Sequence, residues 1–570
     1  MGSTLSIRLA PEDQARLDAV IQHARTNRWA ERLFERDTSL WSDDAKVQAT
    51  IADRLGWLDA PEHFTGQLAA LEGFGEAIRV DGFTTAVVMG MGGSSLAPDV
   101  FHRVFGTADG YLDLRILDST DPAAVAATVD DLDPLQTLWI VASKSGTTTE
   151  PLAFMADAWA RVYAALERAG SDQRPGDFFA AITDPGRSRE SIPHHDELRE
   201  VFLNPPEIGG RYSALTYVGL VPASLIGVDL DALLASASAM LGECREPAPT
   251  DNPGLHLGLA IGSLARAGRD KLTLLADESI ESFGSWLEQL LAESTGKHGA
   301  GIVPIDLEPG RSASEYGPDR AFVWIGLTGS RVPKLLDELA AAGQPVIRIE
   351  IDDPIDLAGE CVRWEVATAF AGAVLGIDAF DQPNVEEAKE LTRQVLAAAG
   401  HPDEPDPAAA ARSAASAPTL SPATLGRDGL ADALAITFRD LEPPAYVAIQ
   451  AFIAPSQARD EAFARIRRTI ADTRCATTAG YGPRFLHSTG QLHKGGPPTG
   501  VFLQLTSDHP TDRPIPGWPY TFGQLIDAQA RGDREAIAAH DRPVAHVHLG
   551  VDADADLATL EWSLARALRR

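Results

Sequence analysis

Leu138-Trp-Ile-Val-Ala142 is an unbroken apolar run, and Ser143-Lys-Ser-Gly-Thr-Thr-Thr-Glu150 follows it directly. A strand covered on one face alternates apolar and polar residues. An unbroken run of this length, closed by a polar turn, reads as a strand buried on both faces. The next stretch, Pro151-Leu-Ala-Phe-Met-Ala-Asp-Ala-Trp-Ala-Arg-Val-Tyr-Ala164, reads as a helix. Four small hydroxyl side chains (Ser143, Ser145, Thr147 and Thr148) and Gly146 therefore fall where a strand hands over to a helix N-terminus. Free backbone N–H groups and the positive end of the helix dipole suit that turn to a phosphate. Helix capping alone accounts for one such hydroxyl, not for the set.

The same alternation recurs along the chain. Residues 1–65 are helical in pattern. Apolar strands then end at Gly90-Met-Gly-Gly-Ser-Ser95, at Asp118-Ser-Thr120, at Ser143 and at Thr183-Asp-Pro185. A second block has strands at Lys271–Ala276, Ala321–Leu327 and Pro345–Ile351, and a third at Tyr446–Ile453, Val501–Leu505 and Val544–Leu549. Short apolar strands separated by helices imply parallel sheets covered on both faces, with ligands at the strands' carboxyl ends. The expected division is a helical region 1–65, α/β domains 66–245 and 246–400, a Pro/Ala-rich linker 401–425, and an α/β segment 426–570. The net charge of −32 argues against nucleic-acid or anionic-membrane partners, so a phosphorylated ligand needs a local, preorganised site. Three scattered cysteines give neither a disulfide framework nor a metal knuckle. A cytoplasmic setting is expected, with no secretory signal and no membrane span.

Several positions carry candidate chemistry. The glycine turn after the first strand breaks the G-x-G-x-x-G dinucleotide spacing at Ser95. It is read instead as a place where the glycines let backbone approach a ligand closely. Gly209-Gly-Arg-Tyr-Ser213 opens another helix, and Arg211 reads equally as a donor fork for a substrate oxygen or as a structural ion pair. Gln289 and Glu293 lie four apart and share a helix face, so Glu293 is either a general base among apolar neighbours or a solvated carboxylate. His487-Ser-Thr-Gly-Gln-Leu-His-Lys494 gathers His487, Gln491, His493 and Lys494. Without a neighbouring carboxylate this is a poor metal motif and a better acid/base or hydroxyl-binding one. No metal is expected.

Together, Met89-Gly-Met-Gly-Gly-Ser-Ser95, Ser143–Glu150, Gly209–Ser213, Gln289-Leu-Leu-Ala-Glu-Ser-Thr-Gly-Lys297 and Phe380-Asp-Gln-Pro-Asn-Val-Glu-Glu-Ala-Lys389 resemble the motifs of the glucose-6-phosphate isomerase family, in that family's order. The C-terminal third looks most like the isomerase half of bifunctional transaldolase/glucose-6-phosphate isomerase proteins. The resemblance implies an α/β fold: two doubly wound parallel-sheet sugar isomerase (SIS) domains, N-terminal helices and an additional C-terminal α/β segment. It implies reversible conversion of D-glucose 6-phosphate to D-fructose 6-phosphate by ring opening and a cis-enediol proton shuttle, with no cofactor. Two alternatives are a dual phosphoglucose/phosphomannose isomerase and a non-catalytic sugar-phosphate sensor, which would need neither Glu293 nor Lys389.

By the same resemblance, Ser143, Ser145, Thr147 and Thr148 bind the sugar phosphate, with Lys144 a supporting charge. Gly93, Ser94, Gly210 and Gln289 line the site. Glu293 is the base, Arg211 stabilises the intermediate, and Gln382 and Lys389 contact the sugar. One position departs: where the family's histidine is expected, this chain has Glu315. His487 has the family's local pattern but follows the lysine motif. Either it refills the site in space or the assignment fails; His298 is a rival. The resemblance also implies a homodimer, and any transaldolase partner is expected to be a separate protein.

Overall fold

The computed structural model describes residues 3–400 and 418–569. It opens with a strand, β1 (Ser3–Arg8), where the sequence reading expected helices, and this strand is the antiparallel edge of a sheet formed much later in the chain. Its alternating half-buried and exposed residues are those of a one-sided edge strand, a pattern too short and polar to stand out in the sequence. The helices Pro11–Thr26, Trp29–Phe34, Ala45–Ala52 and Ala60–Thr65 follow, as expected, and Leu68–Val80 lies beyond the expected helical region.

The first sheet contains β2 (Thr85–Gly90), β3 (Asp113–Leu117), β4 (Thr137–Ala142), β5 (Phe179–Thr183) and β6 (Glu200–Leu203), in the order β3-β2-β4-β5-β6 and all parallel. Every residue of β2 and β4 is buried, which is why these strands carry no alternation. The second sheet, β1-β10-β9-β7-β8, adds β7 (Lys271–Ala276), β8 (Val303–Ile305), β9 (Arg320–Leu327) and β10 (Val346–Ile351). The third, β11-β15-β14-β12-β13, has β11 (Thr419–Leu420), β12 (Tyr446–Phe452), β13 (Ala476–Tyr481), β14 (Gly500–Ser507) and β15 (Val544–Leu549).

Counted from β2, β7 and β12, the first four strands of each sheet lie in the order 2-1-3-4, so the C-terminal unit repeats the winding of the other two. The chain reverses direction between β2 and β4, between β7 and β9, and between β12 and β14. Those are the switch points where loops diverge and open sheets leave crevices. The first two sheets share one hydrophobic core and the third has its own. A smaller apolar cluster of Ala292, Val303, Ile305, Tyr446, Phe502 and neighbours seals the seam between the second and third.

Residues 401–417 of the expected linker lie outside the described residues. Residues 418–425 are not linker: Thr419–Leu420 pairs with β15, and Pro422 begins the helix Pro422–Phe438. β6, β8 and β13 carry too little apolar pattern to stand out in the sequence. The last, Ala-Thr-Thr-Ala-Gly-Tyr, is weakly apolar, yet it aims the loop that carries His487.

Candidate active site

The turns after β2 and β4 flank the first sheet's switch point, so the glycine turn and the Ser/Thr turn come together there. Gly146 has φ +67°, and a Cβ on it would lie 1.9 Å from the Ser188 carbonyl oxygen, so glycine is required by both conformation and space. The tightened turn brings Ser143 Oγ to Thr148 Oγ1 (3.1 Å) and Ser145 Oγ to Thr147 Oγ1 (2.9 Å). Thr148 is the N-cap of the helix Thr149–Ala169 but makes no side-chain capping bond, which leaves first-turn N–H groups for an anion. Lys144 is turned aside: its Nζ donates to Asp184 and to the Pro206 carbonyl (2.9 Å).

Gly92 and Gly93 are where the other two cleft loops converge on the glycine turn. A Cβ on Gly92 would meet the His487 carbonyl oxygen at 2.4 Å, and one on Gly93 would meet the Gly210 carbonyl oxygen at 2.1 Å. The same two-residue turn therefore presses against the His487 loop on one side and the Arg211 loop on the other. Ser94, next in line, is half-buried in the first turn of the helix Gly93–Phe105.

Glu293 sits on the helix Phe283–Thr295, 6% exposed, with each carboxylate oxygen held. Arg211 Nη1 lies 3.3 Å from Oε1, and Gln289 Nε2 donates to Oε2 at 3.1 Å. Arg211, 3% exposed, also donates from Nε to Ser294 Oγ (2.6 Å) and from Nη2 to the carbonyls of Ala379 (2.8 Å) and Asp381 (3.0 Å). Both open readings of Arg211 thus meet in one place: it is a structural ion-pair partner whose partner is the candidate base. Gln289 Nε2 donates a second bond to the His487 carbonyl oxygen at 2.7 Å, while its Oε1 is buried without a partner and free to accept a ligand hydroxyl.

His487 thus reaches the cleft from the C-terminal unit of the same chain. Its Nε2 donates to Glu150 Oε1 at 3.1 Å. Burial works to raise the Glu150 carboxyl, but the charge and hydrogen bond of His487, with Lys389 beyond, outweigh it and hold the group below the usual range. Glu150 closes the very run that signalled the phosphate turn, yet the sequence reading gave it no role. Nothing local told it from an ordinary first-turn glutamate, and its partner is 337 positions away.

The other histidine candidates lie elsewhere. His493 is buried against Gln450 in the C-terminal unit, where desolvation pushes it well below the ordinary imidazole range, and Lys494 pairs with Asp533. His298 is exposed, and Glu315 caps a surface turn at Ser312. Gln491 supports the segment that carries Gln382 and Lys389 by accepting from the Asn384 N–H (2.9 Å) and donating to the Gly296 carbonyl (2.9 Å). Lys389 is half-buried and Gln382 is exposed beside the cleft loop. Among the described residues no group of three or more His, Cys, Asp and Glu side chains is placed to hold a metal ion.

Residues 26–303 match the family Phosphoglucose isomerase. The chain is 30% identical to a glucose-6-phosphate isomerase of Rubrobacter xylanophilus, over 61% of this chain and 90% of that protein. It is 32% identical to one of Symbiobacterium thermophilum, over 60% and 87%. Among solved structures, a hypothetical protein of Thermus thermophilus superposes with TM-score 0.57 at 26% identity, over 69% of this chain and 100% of that one. A glucose-6-phosphate isomerase of Chlamydia trachomatis gives TM-score 0.53 at 21% identity, over 70% and 89%, and shares the fold. The family match ends before Lys389 and before the unit that carries His487.

Proposed function

The chain belongs to the phosphoglucose isomerase family, and on that premise we propose how its cleft interconverts D-glucose 6-phosphate and D-fructose 6-phosphate. The observation that carries the reading is the Gln289 amide, which donates at once to Glu293 Oε2 and to the His487 backbone carbonyl and so ties the candidate base to the loop that carries the candidate ring-opening imidazole.

The sugar phosphate occupies the turn Ser143–Thr148, bound by hydroxyls and first-turn N–H groups, with Lys144 contributing charge from its position on Asp184. That binding energy positions the reacting carbons. His487, with Lys389, moves a proton between ring oxygen and anomeric hydroxyl and opens the ring. Glu293 then removes the C2 proton and returns it to C1 through a cis-enediolate. One base serves both carbons because both protons leave and arrive on the same face of the planar intermediate. Arg211, already 3.3 Å from Glu293, places a fixed positive fork where negative charge develops on oxygen. Gln289 Oε1 and Gln382 accept and donate to sugar hydroxyls.

Glu293→Gln keeps the shape of the site and removes the base. We expect kcat from fructose 6-phosphate, coupled to a glucose 6-phosphate readout, to fall about 10²–10⁴-fold, with loss of solvent-deuterium incorporation at C2. A loss of only a few-fold, with exchange retained, would sink the assignment. From the resemblance we also propose a homodimer, a cytoplasmic location and, where a transaldolase is a partner, a separate protein. Light scattering, fractionation and co-purification test these in turn.

A further inference from the structure

The Glu150–His487 contact belongs to a longer buried chain of polar groups. Gln529, on the helix Phe522–Ala539 of the C-terminal unit, donates from Nε2 to Glu150 Oε1 at 2.7 Å, the same oxygen that meets His487. Its Oε1 accepts from Thr120 Oγ1 at 2.7 Å. Thr120 is 0% exposed, Gln529 3% and Glu150 5%. The order Thr120, Gln529, Glu150, His487 alternates between the first α/β unit and the C-terminal one, so the chain crosses the interface three times.

An amide presents different chemistry at its two ends. With its carbonyl receiving the Thr120 hydroxyl, Gln529 can only donate toward Glu150, which favours the ionised, accepting carboxylate. An accepting Glu150 requires the proton on His487 Nε2 and leaves Nδ1 as the ring nitrogen able to exchange one. We propose that Gln529, held by Thr120, is a positioning residue for ring opening: it keeps Glu150 an acceptor and thereby fixes the tautomer and orientation of His487. This rests on the acid/base role given to His487 above. The alternative is that Gln529 merely docks the C-terminal unit.

The test follows anomerisation of glucose 6-phosphate by two-dimensional exchange NMR, which reads ring opening directly, together with kcat, KM and their pH profiles for isomerisation. Gln529→Glu sets a second carboxyl against Glu150, so the pair must share a proton. Anomerisation and kcat are expected to fall roughly tenfold or more, with KM within about twofold and the pH profile of kcat displaced. Thr120→Val, which only frees the amide, should move the same quantities in the same direction by less. In a His487→Ala background neither change should cost anything further, because both act through that ring.

The proposal is overturned if the Gln529→Glu loss adds in full to that of His487→Ala. It is overturned equally if kcat and KM shift together with no change in the pH profile. If Gln529→Glu does not fold, Thr120→Val decides: parent-like anomerisation from the folded variant refutes the proposal. A parent-like His487→Ala would instead remove the role of His487 itself.

Discussion

Gly146→Ala isolates the geometry of the phosphate turn, because Gly170, at the other end of the same helix, supplies a matched control. Gly146 has φ +67° and Gly170 φ +62°, so alanine costs about 1–2 kcal/mol of left-handed backbone at either position. The surroundings differ. A Cβ at Gly170 meets nothing within 4 Å, whereas one at Gly146 lies 1.9 Å from a backbone carbonyl oxygen. That overlap exceeds an ångström and falls on main chain, which cannot swing away like a side-chain tip. Overpacking of this kind adds about 1–3 kcal/mol. The turn is expected to relieve the clash by moving off Ser188, which pulls Ser145 and Thr147 out of register with the helix N-terminus. Losing about 1.4–3 kcal/mol of phosphate binding corresponds to a rise of roughly 10–150-fold in KM for fructose 6-phosphate. The assay is steady-state kinetics of both variants, with thermal unfolding beside them. Gly170→Ala should lose stability and keep its KM. Equal KM values for the two variants would refute the claim that this turn is the phosphate site.

Mixing Glu293→Gln with His487→Ala chains, by co-refolding, should restore no activity, since both residues belong to one chain's site; recovery approaching a quarter of parent activity would mean the site is shared between chains. Arg211→Lys keeps the charge but loses the fork that serves Glu293, Ser294 and two carbonyls, so kcat should fall at least tenfold with the fold intact by circular dichroism. Glu150 is held below its unfolded value, so its pairing with His487 contributes stability that is present above the ordinary glutamate range and lost as pH falls through the folded value. Acid unfolding of Glu150→Gln should accordingly show a shallower loss of stability across that range than the parent.

Much of the first unit was legible because burial on both faces writes itself into the chain. Leu138–Ala142 has no polar position because neighbouring helices cover both sides of β4, and no other element type suits so short an apolar run. The tight Ser143–Thr148 turn was legible for the same local reason: glycine and small hydroxyls let a backbone approach a neighbour closely. The pairing of Gln289 with Glu293 follows from helical spacing. The strands that escaped notice, β1, β6, β8, β11 and β13, are short or weakly apolar and owe their existence to neighbours already in place.

The remaining decisions were tertiary. Within the sequence alone, His487 has a local pattern displaced past the lysine motif, His298 is its rival, and Glu150 is a glutamate in a first helical turn. Only the docking of a third α/β unit against the first puts His487 on Glu150 and turns Gln529 toward the same carboxylate, while His493 is buried against Gln450. Local pattern reports whether a residue is covered, because burial and periodicity act over a few residues. It does not report what covers it. That depends on contacts hundreds of positions apart, and here those contacts join His487 to Glu150.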